Sequence, residues 1–157
     1  MKKSILYIAT IASFFIASCS SNDGDVDNQK PEIVLLEPHD HEGFQPGSEI
    51  HIQGIITDNV ALGSYKIEIH GADDNHTHAR LSSANIQFTY EQTFTVDQNT
   101  QVIELDHEIQ IPETINGLPI ANGHYHVGIF ALDKVGNQQQ VFTEIYIGND
   151  ADEHNHG

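Results

Sequence analysis

From Glu32 to Ile147 the chain shows no sustained helical period. Short, β-branched runs alternate apolar with polar residues and are cut off by turn residues. Such runs can bury their apolar sides only as sheets, packed face to face or closed on themselves. The runs are Glu32–Leu36, Glu49–Thr57, Tyr65–His70, Phe88–Val96, Val102–Pro112, Tyr125–Leu132 and Gln140–Ile147. About seven strands in roughly 120 residues predict an all-β, immunoglobulin-like β-sandwich without substantial helix. Residues 31–148 form this domain, and their number suffices for a core of its own.

The N-terminal end obeys other rules. Lys2 and Lys3 precede an apolar run, Ile5–Ile16. That run falls short of the ~20 residues that span a bilayer and has the size of a secretory signal. Residues 1–18 are therefore read as a signal peptide. The segment "IASC" ending at Cys19 resembles a bacterial lipobox, which implies cleavage before Cys19 and its lipidation. Cys19 is the single cysteine, so an intramolecular disulfide is excluded. Residues 19–30 lack apolar periodicity and read as a flexible acidic tether. An EF-hand loop counted from Asp23 fails, because Asn28 and Val34 stand where Gly and Glu are required. Residues 149–157, "NDADEHNHG", are expected to be a disordered acidic tail.

Two segments carry a family resemblance. "TDNVALGSYKIEI" is similar to the B-to-C passage of bacterial Ig-like domains, where Asp-Asn opens a turn before a strand. "NGHYHVGIFALDKVGNQ" is similar to their F strand and F–G turn. The serine- and acid-rich stretch after Cys19 resembles a surface-display signal of Bacteroidota outer-membrane lipoproteins. The whole chain resembles a family of short lipoproteins of the Bacteroidota, domain-of-unknown-function family 4625. These resemblances imply a fold and a lipid-anchored, outer-membrane, surface-exposed location. They imply no activity, since sandwiches host many functions.

Charge narrows the partners. All 23 acids follow Cys19 but only four of the six bases do, so that part of the chain carries −19 with histidines neutral. Nucleic acid and anionic lipid surfaces are repelled, and cations are attracted.

The chain also holds 11 histidines. Four His-x-His pairs occur: His39/His41, His76/His78, His124/His126 and His154/His156. With strands lettered A to G, the A–B loop, the end of strand C and the start of strand F share one pole of an Ig-like sandwich. Ten histidines map there, and His107 is the exception. Strand parity puts Tyr125, Val127, Ile129 and Ala131 inward, so His124 and His126 point together to the other side. His70 points outward from the neighbouring strand. Imidazole suits zinc, copper, nickel and iron, and His-x-His on a strand supplies two imidazoles on one side. The predicted ligands are His70, His76, His78, His124 and His126, with His39 and His41 as completion or as a second site. Asp74 is the predicted carboxylate ligand or hydrogen-bond acceptor to an imidazole, and zinc (Zn2+) is the expected ion.

The remaining histidines are read differently. His107 shares parity with Ile103, Leu105, Ile109 and Ile111 and is expected near the core with its nitrogens bonded. His51 points outward beside Gln53, and solvated histidines are ordinary on an acidic surface. Asp133 and Asn137 are expected to shape the F–G turn. No nucleophile-and-base arrangement is recognisable, which favours a binding protein over an enzyme. The expectation is metal capture or hand-off to an outer-membrane importer. The alternative is a surface module binding a glycan, a haem or a partner protein, with the histidines as a pH-sensitive or solvated patch.

Overall fold

The computed structural model describes residues 26–72 and 86–151. Residues 1–18, read above as a signal peptide, and Cys19, Asp74, His76, His78, His154 and His156 lie outside the described residues. Among the described residues there are ten strands: β1 (Glu32–Glu37), β2 (Glu42–Phe44), β3 (Glu49–Thr57), β4 (Leu62–Gly71), β5 (Tyr90–Thr95), β6 (Val102–Gln110), β7 (Thr114–Ile115), β8 (Leu118–Pro119), β9 (Gly123–Asp133) and β10 (Gln138–Ile147). One sheet has the order β1-β3-β6 and the other β2-β10-β9-β4-β5, with β7-β8 a small hairpin. Lettered in chain order this is A-B-E packed on A′-G-F-C-C′, an Ig-like sandwich.

Alternation in the sequence becomes burial in the fold. From β3, Ile50, Ile52 and Ile56 face inward at 0% exposure; from the opposite sheet Ile67, Tyr125, Val127, Ile129, Ile145 and Ile147 do the same. Each such side chain contributes about 1.5–3 kcal/mol by leaving water. The buried Tyr125 at the start of β9 donates its hydroxyl hydrogen bond back to the Ala121 carbonyl, 2.7 Å away. A tyrosine at this corner tying back a few residues upstream is a mark of the fold. His107 faces inward as expected: its Nε2 lies 3.0 Å from the Tyr65 hydroxyl, and Phe94 packs 4.6 Å from its ring. Burial holds its pKa below the ordinary value, against the pull of Asp106.

Two features depart from the seven-strand expectation. The fourth run, observed as β5, pairs with β4 and so joins the larger sheet. Alternation gives a strand its two faces but does not choose its neighbour. Within the A–B loop, β2 pairs in parallel with the end of β10, with Glu42 opposite Ile145 and Phe44 opposite Ile147. Three residues are too few for a readable period.

The turns at the far pole are built by aspartates. In the β3–β4 turn, Asp58 Oδ1 accepts the amides of Val60 at 2.9 Å and Ala61 at 2.7 Å. In the β9–β10 turn, Asp133 Oδ1 accepts the amides of Val135, Gly136 and Asn137 at 3.0, 2.6 and 2.7 Å. Aspartate bonding the backbone just ahead of it is the usual way such turns close. Burial alone would push the Asp133 carboxyl up; the bonds from Asn137, Gly136 and Val135 outweigh it and hold the pKa below the ordinary value. Residues assigned above to the tether reach this same pole, where Asn59 Nδ2 donates to Asp27 Oδ1 at 3.1 Å.

Candidate metal centre

Three adjacent strands set the outer face of the larger sheet. His70 on β4 lies opposite His126 on β9, and His126 lies opposite Glu144 on β10. Directly paired residues share a face, so these three form one row across the sheet. The inward positions of β9 belong to the core, which forces His124 and His126 outward together, as parity predicts. The rings of His70 and His126 meet edge to face at 5.6 Å. His124 stands one row on, against Tyr146 at 5.5 Å.

Glu144 joins the histidines. Its Oε1 lies 2.9 Å from His124 Nδ1 and 3.1 Å from His41 Nδ1, and its Oε2 lies 3.8 Å from His126 Nε2. One ligand atom from each of His41, His124 and Glu144 falls within 4.8 Å of the others. Donors at the ~2.0–2.2 Å bond lengths of tetrahedral zinc sit roughly 3.3 Å apart, so two edges of the required tetrahedron are already near length.

The loop brings His41 to the sheet through its backbone. The His41 amide donates to the Glu144 carbonyl at 2.7 Å. Asp40 Oδ1 accepts from the Glu144 amide at 3.1 Å and the Thr143 hydroxyl at 3.3 Å. These bonds hold His41 at φ 64°, in the left-handed region, a conformation that costs a non-glycine residue on the order of 1 kcal/mol or more. The turn carries the imidazole over β10. Its other nitrogen, Nε2, is 3.5 Å from Asp40 Oδ2, which puts a carboxylate on the side where a metal-binding histidine usually finds its supporting acceptor.

Other predicted ligands stand apart. His39 is not among the converging donors; its side chain is 76% exposed and its Nδ1 lies 3.8 Å from Glu42. His70 is adjacent without joining the trio: Nδ1 is 3.1 Å from the Gly71 carbonyl and Nε2 is 3.5 Å from Glu68. His51, early in β3, stays near this end of the sandwich but stands on the outer face of the other sheet. It lies opposite Glu108, with an exposed grouping of Glu49, His51 and Glu108 around it. Of the histidines assigned to this pole, the described residues bring His41, His124, His126 and His70 together on the outer side of the larger sheet, while His76, His78, His154 and His156 lie outside the described residues.

Glu144 is absent from the sequence reading. The information was present: Ile145 and Ile147 fix the parity of β10, which turns Glu144 outward, and the register through the Asp133–Asn137 turn sets it opposite His126. Strand β9 has a second neighbour, β10, on the side away from β4, and only that pairing gives Glu144 its company.

Comparison with known proteins gives the family. The family profile of domain of unknown function DUF4625 matches residues 17–148, and the chain belongs to that family. No curated protein matches the chain. Among solved structures, the sporulation control protein Spo0M from Bacillus subtilis is similar at a TM-score of 0.36 and 9% identity. That match covers 75% of this chain and 48% of Spo0M, so the chain spans about half of its length.

Proposed function

We propose that this DUF4625 protein is a lipid-anchored outer-membrane surface protein that captures a divalent transition metal, zinc above all, and releases it to another surface protein such as an importer. The observation that carries the reading is the convergence of one ligand atom each from His41, His124 and Glu144 within 4.8 Å, with Glu144 Oε1 at 3.1 Å from His41 Nδ1 and 2.9 Å from His124 Nδ1. Two imidazoles and a carboxylate are a donor set that zinc accepts. A calcium ion would prefer oxygen alone.

Three protein donors leave one tetrahedral position for water, for His126 or for an incoming ligand. Structural zinc sites are closed by four protein ligands, whereas an open position permits exchange. The site is also at the surface, with the His41 side chain 66% exposed. Capture and hand-off need this openness; a purely structural staple does not. The leader and Cys19 support anchoring, and Asp27 at the far pole supports a domain held by that pole, with the histidines turned outward.

The test is zinc titration calorimetry on the metal-stripped domain, alongside His124→Ala/His126→Ala. Micromolar or tighter binding at near-integer stoichiometry, lost in the variant with the fold intact, is expected. Weak, multi-site heat that is unchanged in the variant would refute the proposal.

A further inference from the structure

The opposite pole carries a second grouping, made only of oxygen donors. One carboxylate oxygen from each of Asp27, Asp58 and Asp133 lies within 4.8 Å of the others. They come from three separate places: the segment before β1, the β3–β4 turn and the β9–β10 turn. Asp58 Oδ1 and both Asp133 oxygens are occupied by hydrogen bonds inside their own turns. Asp58 Oδ2 is not. Asp58 is 9% exposed, and its Oδ2 is buried with no hydrogen-bond partner.

A buried carboxylate oxygen without a partner is costly, and more so beside two further carboxylates. None of the ion pairs among the described residues supplies a lysine or arginine to these three aspartates. Asparagine amides do approach. Asn59 Nδ2 donates to Asp27 Oδ1 at 3.1 Å, and Asn137 Nδ2 donates to the Asp27 carbonyl at 3.1 Å and to Asp133 Oδ2 at 2.6 Å. These bonds hold the frame and favour the charged form of Asp133, but they bring no positive side chain to the three carboxylates. A cation is the group that removes the deficit.

We propose that Asp27, Asp58 and Asp133 bind a calcium ion, which clasps the segment before β1 to the two turns. The donors are hard carboxylate oxygens drawn from loops. Calcium accepts 6–8 such ligands in flexible geometry, whereas magnesium demands a near-ideal octahedron and keeps its waters. Zinc and its neighbours would prefer the nitrogen-bearing pole. The consequence is mechanical: the chain leading to the domain is fixed where it enters, so calcium sets the direction in which the histidine pole faces.

The test uses the full chain, stripped with chelator, with calcium chloride alone as probe. Titration calorimetry should find one calcium per chain, with Kd on the order of 10⁻³ M or tighter, the range of extracellular calcium modules. Calcium should raise Tm by several degrees over chelator, and magnesium by less. Asp58→Asn keeps an oxygen for the Val60 and Ala61 amides and removes the charge, so it should fold in chelator and lose the calcium response. Asp27→Ala, outside the core, should weaken calcium roughly 10-fold or more and decides alone if Asp58→Asn does not fold. His124→Ala/His126→Ala should leave the calcium response intact, which separates this proposal from the zinc reading. Absence of heat and of a Tm shift at millimolar calcium would overturn the proposal, as would a calcium affinity that Asp27→Ala leaves unchanged.

Discussion

The two poles of this sandwich gather their charged groups by opposite means. At the histidine pole, strand pairing does the positioning: His70, His126 and Glu144 share a row because three strands are in register. The side chains stand off a sheet surface and stay partly open to water. At the aspartate pole, turns do the positioning. Asp58 and Asp133 fold back on their own backbone and are buried by it. Strand register, together with the loop that carries His41, gathers imidazoles around Glu144 at the surface, while turns gather carboxylates in a buried place. One scaffold therefore offers two chemically distinct ends, joined by strands whose inner faces are apolar.

The largest expected effect separates the poles outright. His41→Ala/His124→Ala removes two donors, and zinc affinity should fall on the order of 100-fold or more by calorimetry, above the 10–100-fold that supporting residues command. Calcium-dependent Tm should not move. A calcium loss in this variant would mean that the poles are not independent.

Glu144→Gln sharpens the first pole. It keeps the shape and one acceptor oxygen but removes the charge that His41, His124 and His126 face. Zinc should weaken roughly 10–100-fold, and His70→Ala, next to the trio but outside it, should cost only a few-fold. Equal losses from the two would relocate the site to the His70–His126 pair.

Acid should break the poles in sequence. Imidazole must be deprotonated to bind metal, so zinc affinity should fall as pH drops through the region near 6.5 where free histidine protonates. The aspartate turns should outlast this. Asp133 is held below its ordinary 3.8; a carboxyl lowered in the folded state stabilises above its unfolded pKa, and that contribution disappears as pH falls through the lowered folded value. Chemical denaturation at stepped pH, followed with and without zinc, reads both events. Zinc affinity that stays flat from pH 8 to 5 would speak against imidazole ligation.

The smallest effect lies between the poles. Tyr65→Phe removes the hydroxyl that faces His107 Nε2 at 3.0 Å and should cost about 1 kcal/mol of unfolding free energy. Neither metal response should change, because His107 is inside the sandwich.

How far the sequence foretold these poles follows from the same contrast. The outward pairing of His124 and His126 was legible, because Tyr125, Val127, Ile129 and Ala131 between and after them write the parity in plain alternation. Tyr65, Ile67 and Ile69 did the same for His70. Glu144 was harder: an acid on the outward side of a strand is ordinary, and only the β9–β10 register gives it company. His41 depends on β2 and on a left-handed turn, and neither leaves a period to read. Asp58 and Asp133 were legible as turn formers. Their meeting with Asp27 was not, since it joins positions 27, 58 and 133 across a fold whose strand neighbours must already be known. Local pattern supplies faces and turns; sites arise where neighbours meet.

The most direct measurement is anomalous scattering at the zinc edge from crystals of the domain grown or soaked with stoichiometric zinc. The account predicts one strong peak bonded, at about 2.0–2.2 Å, to His41 Nδ1, His124 Nδ1 and Glu144, with none among Asp27, Asp58 and Asp133. A peak at the aspartate pole alone, or only weak peaks scattered over single exposed histidines such as His39 and His51, would contradict it.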